Sequence, residues 1–252
     1  MSLLYISVAF YFLAFLTSLI SYFLEPLKKF TFFLLFLALL FYVAHTGAIA
    51  LQVVSFPFAD TYGFYSLLGN SVLFILLLVS LKQAYLHRFL SLFAMFGVLS
   101  TTLAMPAEPS PYRSPLYSLH ITSALFSYVS TLFGGFSSLL RLFLESRLKH
   151  KSLGAFLFPL NMLRKGERVS LNMSFVFFTL TLIFGSLWSR SVFGKHWIDD
   201  PKLLYVLFLW LYYALLVHLN LVSRIKPKTL SYGVIAGMLL AMLNLLFVRH
   251  EL

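Results

Sequence analysis

Seven histidines, at positions 45, 87, 120, 150, 196, 218 and 250, are the side chains of this sequence best suited to bind a metal. Neutral imidazole is the commonest protein ligand for metal ions. His45 lies inside a long apolar run, where a polar ring costs free energy unless it has a partner. It is interpreted either as a ligand to a metal or haem iron, or as a hydrogen-bonding residue that packs two helices together.

His120 and His250 are a second pair of candidates, because one opens a predicted helix and the other ends one at the same predicted membrane level. Two histidines from different helices could ligate one iron axially. The alternative for His250 is simple exposure to solvent. Below His120 a small residue recurs at every fourth position, which predicts close packing against another helix: Ser123, Ser127, Thr131 and Gly135. His87 and His150 lie among Lys and Arg and are assigned no role.

Aromatic and charged residues concentrate in the stretch GSLWSRSVFGKHWIDDPK, residues 185–202. It contains Trp188, Phe193, His196 and Trp197, the acids Asp199 and Asp200, and the cations Arg190, Lys195 and Lys202. One interpretation is an aromatic belt at the membrane interface. The other is a site for a planar macrocycle, on which rings can stack while cations pair with its carboxylates. Haem is the planar dicarboxylate that fits the second interpretation.

Other chemistries lack their motifs in this sequence. It contains no glycine-rich phosphate loop, GxSxG, HExxH or EF-hand pattern. The absence of cysteine excludes a disulfide framework, a thiolate metal site, covalent c-type haem on this chain and thiol redox chemistry. The formal net charge of +11 is attributed to loops on one side of a membrane, so no nucleic-acid partner is expected.

Transmembrane helices are the elements that must position these residues. Of the 252 residues, 60% are hydrophobic and 11% charged, against roughly 45–50% and about 25% in soluble domains. Such a chain needs the lipid bilayer as solvent for most of its surface. We therefore predict one all-α polytopic membrane domain over residues 1–252, with about eight spans at roughly 3–24, 30–54, 64–81, 89–105, 117–144, 170–188, 203–222 and 229–248.

The basic residues predict how the spans are oriented. Most of the 19 Lys and Arg residues follow the first, third, fifth and seventh spans, which the positive-inside rule makes cytoplasmic. Both termini and the aromatic loop 188–203 then lie on the outer side. The inner segment 145–169 is the longest and most basic, and its apolar stretch 153–163 is too short to cross, so an interfacial helix is expected there.

These residues resemble the CcsA/ResC proteins, the membrane components of system II cytochrome c biogenesis. The family's tryptophan-rich (WWD-type) pattern runs approximately GxxWxxxxWGxYWxWDPKE, and seven residues match it in register: Gly185, Trp188, Gly194, Trp197, Asp200, Pro201 and Lys202. Further matches are His120, Tyr128 and Gly134 in an H-x7-Y-x5-G signature, Phe56, Pro57, Asp60 and Tyr62 in an outer segment, and Trp210 and His218 downstream. His45 and His250 stand as counterparts of the family's intramembrane and last outer histidines.

The resemblance implies a haem-handling subunit in the bacterial plasma (inner) membrane. Such a subunit moves haem b to the outer face and presents it to CxxCH thiols of apocytochrome c, as part of a haem lyase (synthase) with a CcsB/ResB-type membrane partner. It implies that His45 ligates haem in transit and that His120 and His250 hold the iron. Trp188, Gly194, Trp197 and Asp200 then form the haem-binding loop.

The sequence departs from the family pattern at five positions, which keeps other functions open. Phe193, His196, Asp199 and Leu203 replace Trp, Tyr, Trp and Glu, and Gly63 stands where a Glu is usual. One alternative is a haem-b electron-transfer subunit, which needs paired histidines inside the bilayer on facing helices. The other is a CcsA-like regulatory or scaffold protein, linked to haem biosynthesis and without synthase activity.

Overall fold

The computed structural model describes residues 2–21, 23–150 and 159–247, and their architecture is all-α. The helices are α1 Ser2–Ile20, α2 Leu27–Val53, α3 Thr61–Lys82, α4 Leu90–Thr102, α5 Pro115–Lys149, α6 Leu160–Phe193, α7 Pro201–Leu221 and α8 Pro227–Phe247, with a 3-10 helix Ala84–Phe89 before α4. The part of the chain that is described contains no β-strand, only one isolated bridge between Phe58 and Pro109. The all-α prediction is confirmed.

Seven of these helices are long and apolar enough to cross a membrane. The eighth, α4, has 13 residues and joins the end of the 3-10 helix in a shorter apolar helix, Leu86–Thr102, so seven to eight helices of the described chain agree with the predicted number of about eight. The predicted fourth span, 89–105, is thus a shorter apolar helix that continues from the 3-10 turn. Large apolar side chains face outward along the helices, among them Phe12, Phe36, Leu78 and Phe143, as expected when lipid is the solvent.

The chain divides into two compact units, residues 1–115 and 116–252. In the first, α1 packs on α2 and α4, and α3 packs on α4. Its interior contains Tyr11, Leu35, Leu73 and Ala94. The Tyr11 hydroxyl donates to Asn70 Oδ1 over 3.0 Å, so this buried polar group is satisfied, as a membrane interior requires. The prediction of a single membrane domain stays a prediction.

In the second unit, α6 packs on α7 and α7 on α8. The small-residue stripe of α5 is buried, as predicted: the Thr131 hydroxyl donates to Ser174 Oγ of α6 over 3.1 Å, and Gly135 lies against Met238 of α8. A methyl group at Gly135 would overlap the Met238 side chain. The stripe therefore acts as a packing surface.

Helices α5 and α6 extend beyond the predicted spans, which shortens the loops. In the predicted inner segment 145–169, the first residues belong to α5, which ends at Lys149. The last residues belong to α6, which begins at Leu160. On the other side α6 continues to Phe193, so the non-helical part of the predicted loop 188–203 is only 194–200. Polar side chains do not end a helix once it leaves the hydrocarbon, because its backbone hydrogen bonds remain internal. Most of the expected interfacial helix 153–163 lies outside the described residues.

Candidate functional site

The imidazole of His120 lies against Gly185, where α5 and α6 approach closely. A β-carbon built on Gly185 would stand 2.8 Å from both Cε1 and Nδ1 of the His120 ring. Real β-carbons do not approach other heavy atoms so closely, so any other residue at position 185 would displace the ring. The glycine of the GxxW motif therefore provides the space in which this histidine sits.

A hydrogen bond sets the tautomer of His120. Its Nδ1 lies 2.9 Å from the backbone oxygen of Thr181. A carbonyl oxygen only accepts, so Nδ1 carries the proton and donates. In the neutral ring the lone pair is then on Nε2. Histidines that bind metals are commonly oriented in this way, by donation of the second ring nitrogen to a carbonyl or carboxylate.

Two aromatic rings complete the surroundings of His120. Trp188 lies almost parallel to the imidazole, with an interplanar angle of 9° and ring centroids 6.4 Å apart. Tyr117, one turn before His120 on α5, contacts Trp188 with centroids 5.3 Å apart. Both aromatic residues are buried. Tyr117 and His120 are three residues apart on α5, as are Gly185 and Trp188 on α6. This spacing places the two members of each pair on one face of their helix.

The loop that follows is held at both ends by residues of the motif. Gly194 ends α6 with φ of +72°, a left-handed conformation that glycine adopts without steric cost, and its N–H donates to the Arg190 oxygen over 3.0 Å. Asp200 is buried and caps α7, because its Oδ1 accepts from the N–H groups of Lys202 and Leu203 at 2.7 and 3.0 Å. Pro201 occupies the first turn, where its missing N–H costs nothing.

The remaining loop residues differ from the two ends in exposure. Trp197 is 44% exposed, and Asp199 is also exposed. His196 attaches the loop to α6: its Nε2 lies 2.9 Å from Arg190 Nη1, and its Nδ1 lies 3.1 Å from Ser186 Oγ. A guanidinium only donates, so Nε2 of His196 is already an acceptor and is not available for a metal.

His45, in the first unit, is a buried imidazole on α2 and is 7% exposed. Among the described residues, none forms a hydrogen bond or ion pair with its ring, although its neighbours on the helix are bonded. The Thr46 hydroxyl donates to the Tyr42 oxygen, and the Tyr42 and Ser66 hydroxyls lie 2.9 Å apart. The packing interpretation required a hydrogen bond to another helix. Both interpretations of His45, as a ligand and as a packing residue, stay predictions.

The segment FPFADTY begins α3 in the same unit. Asp60 caps this helix by accepting from Gly63 N–H at 2.8 Å, and its second oxygen accepts from Glu108 N–H at 2.7 Å. The Phe58 side chain fills the space that a side chain at position 63 would need. This contact explains the departure at position 63, because a Glu would overlap the Phe58 ring.

The structure thus assembles His120, Gly185 and Trp188 into one site, with the loop from Gly194 to Asp200 after them. His250 lies outside the described residues, so its assignment as a second ligand stays a prediction. Sequence reasoning missed Tyr117 and Thr181. The spacing of three residues from Tyr117 to His120 could have indicated the first, but a backbone carbonyl such as that of Thr181 leaves no signal in a sequence.

Comparison with known proteins identifies a family. The family described as cytochrome C assembly protein matches residues 1–252. The cytochrome c biogenesis protein CcsA of Chlamydomonas reinhardtii is 28% identical over 127 residues, covering 48% of this chain and 36% of that protein. CcsA of Cyanidium caldarium is 26% identical over 148 residues, covering 48% and 49%. CcsA of Prochlorococcus marinus strain MIT 9515 is 28% identical over 152 residues, covering 51% and 48%.

The chain spans about half the length of these relatives, or less. Among solved structures, the cytochrome c heme lyase CcmF superposes on it with a TM-score of 0.54, at 17% identity, covering 99% of this chain and 46% of that chain. At this identity the likeness shows a shared fold alone.

Proposed function

Because this chain belongs to the cytochrome c assembly protein family, we propose that it holds haem at the outer face of a membrane for attachment to apocytochrome c. Haem, when bound, supplies the vinyl groups to which the thiols of a CxxCH sequence are joined. The thiols come from the apocytochrome, since this chain has no cysteine.

The geometry of His120 carries the proposal. Donation from Nδ1 to the Thr181 oxygen orients the ring and leaves Nε2 as the nitrogen that would bind iron. Gly185 and Trp188 hold the imidazole between two helices, so the ligand is oriented before haem arrives. The exposed ring of Trp197 provides an aromatic surface for the macrocycle, and Asp200 holds the loop by capping α7. His250 would be the second residue to hold the iron.

His45 has a separate role in this proposal. A buried imidazole with no hydrogen-bond partner among the described residues is a costly arrangement in a membrane helix, and binding to iron would satisfy it. We assign it to haem in transit. The finer proposals are that the haem is haem b, that a CcsB/ResB-type membrane protein completes the synthase, and that the membrane is a bacterial plasma membrane.

The geometry gives less support to a haem-b electron-transfer subunit. That function needs two histidines inside the bilayer on facing helices. The histidines of the first unit are His45 and His87, and His87 belongs to the 3-10 helix between two spans, where its ring contacts Phe32. Within the second unit, His196 is engaged by Arg190 and Ser186, and His218 is exposed on α7.

The test is a visible absorption spectrum of the purified protein. The unchanged protein should retain haem, and His120→Ala should reduce retained haem about tenfold or more. Added imidazole should restore part of the spectrum, because it fills the position left by the side chain. His87→Ala and His150→Ala are the matched controls and should leave the spectrum unchanged.

Maturation is measured separately, by complementation of a strain that lacks c-type cytochromes. If the protein retains haem but does not complement the strain, the proposed binding site is supported and the role in maturation is rejected. A purified protein with no haem spectrum, under conditions in which the helices are intact, would favour the scaffold alternative instead.

A further inference from the structure

A polar cavity of about 130 Å³ lies in the second unit at the end opposite to His120. The C-terminal half of α5, the first turns of α6 and the α7–α8 junction surround it. Its polar lining consists of Arg141, Arg164, Glu167, Arg168 and Asn220. The proposed haem-holding function uses none of these residues.

A buried ion pair forms one wall of the cavity. Arg141 and Glu167 are 3% and 1% exposed, with Nε of the arginine 3.2 Å from Oε2 of the glutamate. Nη2 of Arg141 also donates to the Pro227 oxygen at 2.5 Å and to the Ser231 hydroxyl. The Ser231 hydroxyl donates to Glu167 Oε2 over 2.7 Å. This network fixes the guanidinium, which would otherwise be costly to bury.

The network leaves hydrogen-bonding capacity on residues that line the cavity. Nη1 of Arg141 makes no hydrogen bond to any residue within the described ranges. Arg168 has no ion pair or hydrogen bond to that part of the chain either. Arg164 and Arg141 both pair with Glu145. Its Oε1 lies 3.4 Å from Nη2 of Arg164 and 4.0 Å from Nε of Arg141. Three guanidinium groups thus face two carboxylates, so the excess charge is positive.

The shape of the cavity restricts its occupant. Its volume of about 130 Å³ has room for several water-sized groups, which suits a tetrahedral anion. Arginine is the side chain that binds phosphate by paired, charge-assisted hydrogen bonds. The helix ends around the cavity are rich in Lys and Arg and are predicted to be cytoplasmic. Basic pockets between helices at that membrane surface bind phospholipid headgroups.

We propose that this cavity is a binding site for a phosphate group, presented by an anionic phospholipid headgroup or as free phosphate. Arg168 and Nη1 of Arg141 bind the phosphate oxygens, Asn220 contributes an amide donor, and the pair with Glu167 holds Arg141 in place. The site is independent of the haem site, because no residue is shared between them.

Two probes test the proposal on the protein of residues 1–252: phosphatidylglycerol retained in native mass spectrometry, and radiolabelled inorganic phosphate in equilibrium binding. Arg168→Gln should weaken binding about tenfold, since a charge-assisted hydrogen bond is lost. Arg168 is exposed and has no partner in the described chain, so this change should not disturb folding. Lys165→Gln is the matched control, an exposed cation on the same helix outside the cavity.

The two probes distinguish the sources of the phosphate. Retention of phosphatidylglycerol that falls in Arg168→Gln, and not in Lys165→Gln, assigns the site to the lipid. Binding of inorganic phosphate with the same dependence assigns it to the free anion. If the unchanged protein, Arg168→Gln and Lys165→Gln bind each probe equally well, the proposal is overturned. The haem spectrum should be the same in all three, and loss of haem in Arg168→Gln without a change in either probe would also overturn it.

Discussion

At the scale of single residues, the GxxW motif around Gly185 and Trp188 has a physical explanation. The glycine leaves room for His120, and the tryptophan lies one turn away on the same helix face, parallel to that imidazole. Neither residue needs to touch haem to affect binding, because both determine where Nε2 of His120, the proposed ligand, points. Residues that orient a metal ligand commonly affect affinity almost as strongly as the ligand itself.

Gly185→Ala is therefore expected to reduce haem affinity about 10- to 100-fold, by analogy with other changes that disturb a ligand's orientation. The added methyl group would stand 2.8 Å from the His120 ring, so the ring must move away from the Thr181 oxygen. Haem content and affinity are measured by absorption titration. The matched control is Gly47→Ala, which places a methyl group in open space on a spanning helix. Equal affinity in the two variants would show that the position of the His120 ring does not control binding.

The sequence predicted the chemical types at this site better than their individual roles. His120, Trp188 and Asp200 follow from spacing and from the resemblance, because these residue types are rare in apolar helices. The sequence separates His120, which matches a family signature, from His196, which replaces a Tyr of the family pattern, but it assigns His196 no role. Only the contacts with Arg190 and Ser186 identify His196 as a residue that anchors the loop.

At the scale of elements, two acids in segments predicted to be on the outer side act as helix caps. Asp60 begins α3 and Asp200 begins α7, each by accepting backbone N–H groups that have no partner inside the helix. The cap at Asp200 also fixes the distance between the end of α6 and the start of α7, which spans only residues 194–200. The adjacent Asp199 is exposed, in agreement with a peripheral position.

Asp200→Ala should lower stability by about 1 kcal/mol, the usual cost of losing a cap, and the melting temperature by about 2–4 °C. Asp200→Asn keeps an acceptor oxygen and should retain most of that stability, which separates capping from charge. Thermal unfolding monitored by circular dichroism measures both. Haem retention should fall in Asp200→Ala and persist in Asp199→Trp. The opposite pattern of retention would mean that the register of this loop is wrong.

Helix existence was predictable from hydropathy, whereas helix length was not. The predicted sixth span covers 170–188, while α6 runs from Leu160 to Phe193. Hydropathy identifies the part of a helix in contact with lipid. The extensions of α6 contain Arg164, Lys165 and Arg190, which lower the mean hydropathy there. The ion pair of Arg141 with Glu167 was not predicted, because a sequence does not show which charged residues of two helices meet.

At the scale of the whole molecule, orientation in the membrane is the main prediction that rests on sequence alone. The cavity lined by Arg141, Arg164 and Arg168 and the site of His120 belong to opposite ends of the second unit. The positive-inside rule assigns the first end to the cytoplasm and the second to the outer side. Haem presented to an apocytochrome on the outer face requires this orientation.

The absence of cysteine makes the orientation directly measurable. Lys165→Cys and Lys195→Cys replace exposed residues at the two ends. In intact cells a membrane-impermeant maleimide should label position 195 and not position 165, and inverted membrane vesicles should give the reverse. Detergent-solubilised protein, in which both positions react, controls for reactivity. Labelling of both positions from one side would reject the proposed topology.

The central claim is that Nε2 of His120 binds the iron, and the reduction potential of bound haem tests it most directly. His120→Met replaces an imidazole ligand by a thioether, a change that raises haem potentials. We predict a positive shift on the order of 100 mV, within the ≈0.8 V range that axial ligands set. His87→Met, the matched control, should leave the potential unchanged. If the haem of His120→Met is retained at the potential of the unchanged protein, His120 is not an axial ligand.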